Sequence, residues 1–378
     1  MSASDDPGGV PAIAGAPTSI AAFIGRSSQG PMDQALPVES WSDFEQQFGG
    51  LSQSSGLPDY LGYAVYQFFA NGGQQASIVR LAADGSGLHL LDSAPFNLLC
   101  APGETDAATL QTLQQYCKDK RAFLIIDCPQ TATTATLQQI GPAGTNSGAL
   151  LGNGALTGPS AANAAYYYPW VQAPDPLSGN QPGYFPPCGF VAGLYAATDA
   201  AHGVWKAPAG IEATLTGALG LQYNLTDQEE AALNAQGINC LRTLAGHGTV
   251  LWGARTLQSE NPGDPNASYW KYVPIRRFAL FLETSLMAGT QWTVVAPNGE
   301  PLWAQLRASV GAFMQGLFQQ GAFQGATPQQ AYVVTCDATN NPQSSIDQGI
   351  VTITVGFAPL RPAEFVILQI QQMAGQSS

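Results

Sequence analysis

The sequence is short of charge, of histidine and of long apolar runs, and each shortage closes off a class of function. Asp, Glu, Lys and Arg make up 10% of the 378 residues, against about 25% in an ordinary soluble domain. Thirteen Lys plus Arg stand against 26 Asp plus Glu, a net charge of −13. That is the wrong balance for a protein that gains affinity by neutralising phosphates, so nucleic acid is not an expected partner. Apolar stretches such as residues 278–282 fall far short of the ~18 residues that cross a bilayer. The first nine residues carry Asp5 and Asp6 and no Lys or Arg, so neither membrane insertion nor a secretory signal is expected. The six cysteines, Cys100, Cys117, Cys128, Cys188, Cys240 and Cys336, form no Cys-x-x-Cys pair. Disulfide frameworks and zinc sites need denser spacing, so buried free thiols, a reducing cytoplasm and no metal are the expectation.

Catalytic equipment is equally thin. The histidines are His89, His202 and His247. His202 could join Asp199 and a serine in a hydrolytic set, but no Gly-x-Ser-x-Gly elbow accompanies them. Asp127 closes a buried apolar run, where α/β enzymes place reactive carboxylates and where a turn former is equally at home. The run GNGALTG at 152–158 is one residue too long for a dinucleotide fingerprint, and no Gly-Lys-Ser/Thr phosphate loop occurs. No catalytic residue, cofactor or metal is therefore assigned. An α/β enzyme acting on a small molecule stands only as an alternative reading.

What is present is a large apolar share, 45%, on a chain long enough for two or three domains. Its charge is unevenly placed. From Lys271 onward five basic residues balance five acidic ones, so the whole −13 lies in residues 1–270. Chance segregation and enclosure of the neutral part in an assembly are both compatible with this.

The hydrophobic periodicity alternates between strand and helix. Residues 1–20, with Pro7, Gly8, Gly9, Pro11 and Pro17, read as an extended arm without a core of its own. Strands are expected at 20–25, 76–81, 97–100 and 122–128, and helices at 40–48 (capped by Ser40), 59–70 and 107–118. Residues 131–165 read as a loop-laden stretch with at most one poor helix. Thr226 with Glu229 signals a capping box, and Gly246 to Gly248 a turn into a strand at 249–252. Toward the end the pattern predicts helices at 276–287 and 301–320 and strands at 291–295, 331–336, 349–357 and 364–371. Such alternation implies an α/β fold with a mostly parallel sheet. The boundaries expected are an arm at 1–20, an α/β segment at 21–95, an outer acidic α/β domain at 96–270, a C-terminal domain at 271–371 and a tail at 372–378.

Several phrases in succession resemble the tail sheath proteins of contractile phages, R-type bacteriocins and extracellular contractile injection systems. They are TSIAAFIGRSSQG at 18–30, SWSDFEQQFGG at 40–50, YLGYAVYQFFANGGQQASIVRL at 60–81, YYYPWV at 166–171, GVWKAPAG at 203–210, LNAQGINCL at 233–241 and LWGART at 251–256. The C-terminal block is closest, with RRFALFLETSLMAGTQW at 276–292, PNGEPL at 297–302, QGATP at 324–328 and PAEFVILQI at 362–370. The resemblance implies a discontinuous inner α+β domain made from the chain ends, an outer α/β domain from the middle, and no enzymatic step. It implies a protomer that polymerises helically around an inner tube and contracts to drive the tube into a target. The partners it implies are other sheath protomers, the tube protein, the baseplate and a tail terminator, with assembly in the bacterial cytoplasm into a phage tail or a released tail-like particle.

Terminal arms that add strands to neighbouring protomers would use Val10 and Ile13 at one end and Phe365, Val366, Ile367, Leu368 and Ile370 at the other. The helix at 301–320 would face the tube through Arg307, for which a solvated arginine on a core helix is an equal reading. One departure from the family pattern is DPGGVPAIA at 6–14. There Gly9 interrupts the arm and Pro11 lacks the donor that a central strand needs. A noncontractile or end-ring paralogue is thus a second alternative.

Overall fold

The computed structural model describes residues 11–54, 57–81, 87–140, 156, 158–258, 269–294 and 296–362. Val10, the run Phe365, Val366, Ile367, Leu368 and Ile370, and the strand expected at 364–371 lie outside the described residues. So does most of the glycine-rich run at 152–158.

In chain order the elements are β1 (Ala21–Gly25), β2 (Ala35–Val38), α1 (Trp41–Phe48), the short pair β3 (Gln53–Ser54) and β4 (Leu57–Pro58), α2 (Tyr60–Ala70), β5 (Ala76–Arg80), β6 (Leu98–Cys100), α3 (Ala107–Asp119), β7 (Phe123–Asp127) and α4 (Thr134–Ile140). Then come β8 (Ala164–Tyr168), β9 (Val171–Asp175), β10 (Gln181–Phe185), α5 (Cys188–His202), β11 (Gly220–Leu221), α6 (Asp227–Ala235), β12 (Ile238–Leu244) and β13 (Gly248–Leu251). The last third holds α7 (Val273–Gly289), α8 (Glu300–Gln319), α9 (Pro328–Ala331), β14 (Tyr332–Thr335), α10 (Gln343–Asp347) and β15 (Thr354–Phe357).

Local chemistry sets many of these limits. Ser40 Oγ accepts from Asp43 N to open α1, and Gly49 closes it in a left-handed conformation, φ 84°. Thr226 and Glu229 form the full capping box of α6.

Eight strands form one sheet in the order β13-β12-β8-β7-β6-β1-β5-β2. It is parallel from β12 to β5, with an antiparallel strand at each edge. Both faces are buried, and alternate residues divide between them. Phe23, Cys100, Phe123 and Tyr167 enter the core under α2 and α5, while Ile24, Leu99, Leu124 and Tyr166 enter the one under α3 and α6. The apolar run at 122–128 is buried on both sides for this reason. The boundary expected at 95/96 falls inside this continuous sheet. All six cysteines are buried and unpaired. Among the described residues no helix is long and apolar enough to cross a membrane.

Two expectations change. Residues 291–293 form a 3₁₀ turn and not a strand. Thr293 Oγ1 donates to Thr290 O at 2.8 Å and Trp292 packs against the Leu302–Trp303–Leu306 cluster, whereas a β-branched pair without a partner strand gains no ladder. The strand expected from 349 begins only at Thr354, because the Asn341 amide takes both Thr352 N, at 2.6 Å, and Thr352 O, at 3.0 Å. The strand β2, which the periodicity did not announce, runs through Pro37, as an edge strand tolerates.

Candidate assembly surface

The C-terminal third is a second, smaller unit. Phe278, Leu282, Val310, Met314, Leu317 and Phe323 form its core, and Val273 and Leu280 on the same α7 belong to the core of the sheet body. One helix thus serves both units.

The N-terminal arm is held in a seat on this helix. Arg277, Phe281, Ser285 and Gly289 recur every four residues and so share one face of α7. The arm crosses them in the opposite sense. Arg277 Nη2 donates to Thr18 O at 2.9 Å, Phe281 lies against Gly15, Ser285 Oγ accepts from Ala16 N at 2.9 Å, and Gly289 makes room for Ile13. A Cβ at Gly289 would stand 2.6 Å from the Ile13 side chain. Ser309 on α8 donates from Oγ to Pro11 O. Twelve helical residues rise about 18 Å, and five extended ones span nearly the same, so arm and stripe stay in register.

Where the arm leaves its seat it enters a buried ion pair. Arg277 grips Asp199 with both nitrogens, Nη1 to Oδ1 at 2.9 Å and Nη2 to Oδ2 at 2.6 Å, and only 3% and 4% of the two side chains is exposed. Thr18 Oγ1 donates to Asp199 Oδ2 at 2.6 Å, and the guanidinium lies 4.6 Å from the centre of the Tyr195 ring. Burial pushes the Tyr195 phenol upward, so it stays neutral, hydrogen-bonded to Tyr167. Both carboxylate oxygens accept, so hydrogen bonds offset part of the desolvation cost of this buried pair. It also ties the arm, α5 and α7 at one point. Asp199 is therefore committed to Arg277 and Thr18, which removes it from the hydrolytic set imagined with His202. This knot was not read from the sequence. Its signal was an arginine inside the apolar run at 273–282.

Beside the arm seat lies a small two-stranded sheet. Among the described residues β14 and β15 pair with each other only, Tyr332 opposite Phe357 through Thr335 opposite Thr354. Two strands alone are marginal in water. Phe278 and Phe323 pack against Phe357 of β15, with Ile13 in the same cluster. The outer edges have no strand partner among the described residues, and Val333 is 57% exposed. Open edges of this kind are templates for another strand.

The remaining expected site residues have internal partners. Arg307 donates to Glu300 Oε1 at 2.5 Å and to Cys336 O, bracing α8 against the end of β14. Asp127 accepts from Cys188 N at 2.7 Å and from Gly103 N at 3.0 Å, holding the start of α5 to the loop after β6. Burial raises its pKa to about 6. This is the turn-forming role, not a carboxylate open to substrate. Among the described residues no group of three His, Cys, Asp or Glu could hold a metal ion.

Residues 83–257 match the family described as phage tail sheath protein central domain, and residues 266–373 match the phage tail sheath C-terminal domain. Over 186 residues the chain is 26% identical to the tail sheath protein of Vibrio phage KVP40, covering 49% of this chain and 26% of that protein. It thus spans about a quarter of that relative's length. Two solved structures align over nearly the whole chain. The PVC sheath complex of an extracellular contractile injection system, in the contracted state, is 30% identical over 96% of this chain and 94% of that one, TM-score 0.79. The anti-feeding prophage (AFP) baseplate contains a chain 27% identical over 99% of this chain and 98% of that one, TM-score 0.77.

Proposed function

The chain belongs to the phage tail sheath family, and from that membership we propose that it is a structural protomer of a contractile sheath, polymerising around an inner tube and driving it forward on contraction. The observation that carries this reading is the β14–β15 pair, which has no further strand among the described residues, next to a seated arm. Strand addition from a neighbouring protomer completes the pair through main-chain hydrogen bonds, with alternate side chains setting the register. Head-to-tail contacts of this kind do not close on themselves and generate a helical filament. In this reading the inner unit comprises the arm and the C-terminal residues, and the sheet body is the outer domain.

Ile13 and Arg307 are engaged within their own chain, so the reaching roles pass to Val10 and its predecessors and to Phe365, Val366, Ile367, Leu368 and Ile370. Contraction requires no reaction on a substrate. Protomers move as rigid bodies, and a few kcal/mol gained per subunit, summed over many, suffices to make firing irreversible. The partners are other sheath protomers, a tube protein, a baseplate and a terminator, in a phage tail or a released tail-like particle.

Electron microscopy of the protein mixed with its cognate tube protein tests this. Striated or helical tubes are expected, and deletion of residues 1–10 shortens or abolishes them. A concentrated mixture that stays monodisperse overturns the reading. A second reading, a paralogue at the baseplate end, draws on the match to the AFP baseplate and on Pro11, which lacks an N–H in the arm. Single rings in place of tubes would favour it.

A further inference from the structure

Where the order of the large sheet reverses, the fold leaves a crevice. From β1 the chain builds outward to β2 and β5 on one side, then crosses over and returns as β6 on the other. The loops that leave such neighbouring strands diverge, and open parallel sheets bind ligands outside the carboxyl ends at this point. Here the space amounts to about 430 Å³, within the roughly 300–1,000 Å³ of small-molecule sites.

Its floor is apolar and preformed. Ile24, Leu61 and Leu113 are buried, and Leu81 and Leu88 continue the surface upward. Tyr60 forms one wall. Its ring meets Trp170 edge-on at 5.2 Å, and Gly103, at φ 73°, lies so close that a Cβ there would stand 2.9 Å from the ring. The wall is therefore set without a ligand.

The rim carries Arg26, Asp59 and Glu104. Both carboxylates already have donors. Glu104 Oε1 accepts from Thr105 N and Asp106 N at 2.7 Å each, and Asp59 Oδ2 accepts from Ser52 Oγ at 2.6 Å. Arg26 is exposed and, among the described residues, no carboxylate reaches it. A guanidinium without a carboxylate partner among the described residues, beside an apolar crevice, matches a molecule with an apolar body and one anionic group.

We propose that this crevice binds a small amphiphilic anion, its apolar body on Ile24, Leu61, Leu81 and Leu113 and its carboxylate or sulfonate on Arg26. The site lies in the sheet body, apart from the arm seat and the open strand pair, and it stands whether or not the chain polymerises.

Fluorescence titration of the full chain tests it with two dyes, 8-anilinonaphthalene-1-sulfonate and the uncharged N-phenyl-1-naphthylamine. The sulfonate is expected to saturate at one per chain. Arg26→Gln weakens it about tenfold, in line with loss of one charge-assisted contact, and leaves the neutral dye unchanged. Thr112→Trp, on an exposed turn of α3 at the rim, weakens both dyes at least about tenfold with unaltered thermal melting, because an indole fills the space. Non-saturating fluorescence, or binding unaffected by Thr112→Trp, overturns the site. Equal effects of Arg26→Gln on both dyes overturn the assignment of an anion.

Discussion

The sheet body and the C-terminal unit draw on the same kinds of helix yet close to different degrees. In the body each strand from β12 to β5 has a neighbour on both sides and helices over both faces. In the C-terminal unit two small clusters lie under a sheet that, among the described residues, has two strands and open edges. The charges differ as well, since the body carries the excess of acid and the C-terminal unit is neutral. Within that neutral unit Arg276, Arg277 and Arg307 each bond within the chain. A body closed in this way can move as a piece, while the strand pair beside it has, among the described residues, edges to which a further strand could add.

The strongest challenge to this picture is the knot that joins the two regions. Arg277→Met leaves Asp199 buried and unpaired and is expected to cost about 3–5 kcal/mol in denaturant unfolding. Arg277→Met with Asp199→Leu should cost clearly less, since no charge is stranded. Equal losses for the single and double variants would mean that the ion pair does not couple the regions.

Acid should separate them next. The folded pKa of Asp127, about 6, lies above its ordinary 3.8. The folded state therefore binds the proton more tightly than the unfolded chain. The contribution to stability is fully present below pH 4 and is lost as pH rises through 6. It amounts to about 2–3 kcal/mol if the whole shift is realised. Asp127→Asn should flatten that part of the profile for the body, while melting of the C-terminal unit keeps its own pH dependence.

Glycine replacements sharpen the contrast in packing. Gly189 on α5 meets α2 so closely that a Cβ would collide with the Ala64 backbone, and Gly189→Ala is expected to cost about 1–3 kcal/mol. Gly316 on α8 has open space, so Gly316→Ala should stabilise the isolated chain by about 0.5–1 kcal/mol. If Gly316→Ala also blocks tube formation, a neighbour fills that space in the assembly.

The smallest effect is expected from salt. Association through the neutral unit should change less than about threefold between 50 and 300 mM NaCl, as co-sedimentation with the tube protein would show. A steep loss would bring the acidic body into the contact.

Much of this was legible in residue order, for reasons that can be named. Ser40, and Thr226 with Glu229, mark helix starts because capping is a contact between residues three or four apart. The apolar run at 122–128 announced a strand covered on both faces. The expected strand at 291–295 failed because a strand exists only by pairing, and nothing within that stretch says whether a partner is at hand. Arg307 looked free for the same reason. Its partners Glu300 and Cys336 are brought to it by the packing of α8 on β14.

By itself the sequence determined the alternation of helix and strand, the buried thiols and the uneven charge, all of which follow from local propensity and composition. Only the tertiary structure decided that Thr18, Asp199 and Arg277 share one buried point, that a four-residue stripe on α7 is the seat of the arm, and that β14 pairs with β15. The reason is physical. Caps and periodicities are satisfied within a few residues of chain, whereas a buried charge or a strand edge is satisfied by groups hundreds of residues away, and chain order does not encode their distance in space.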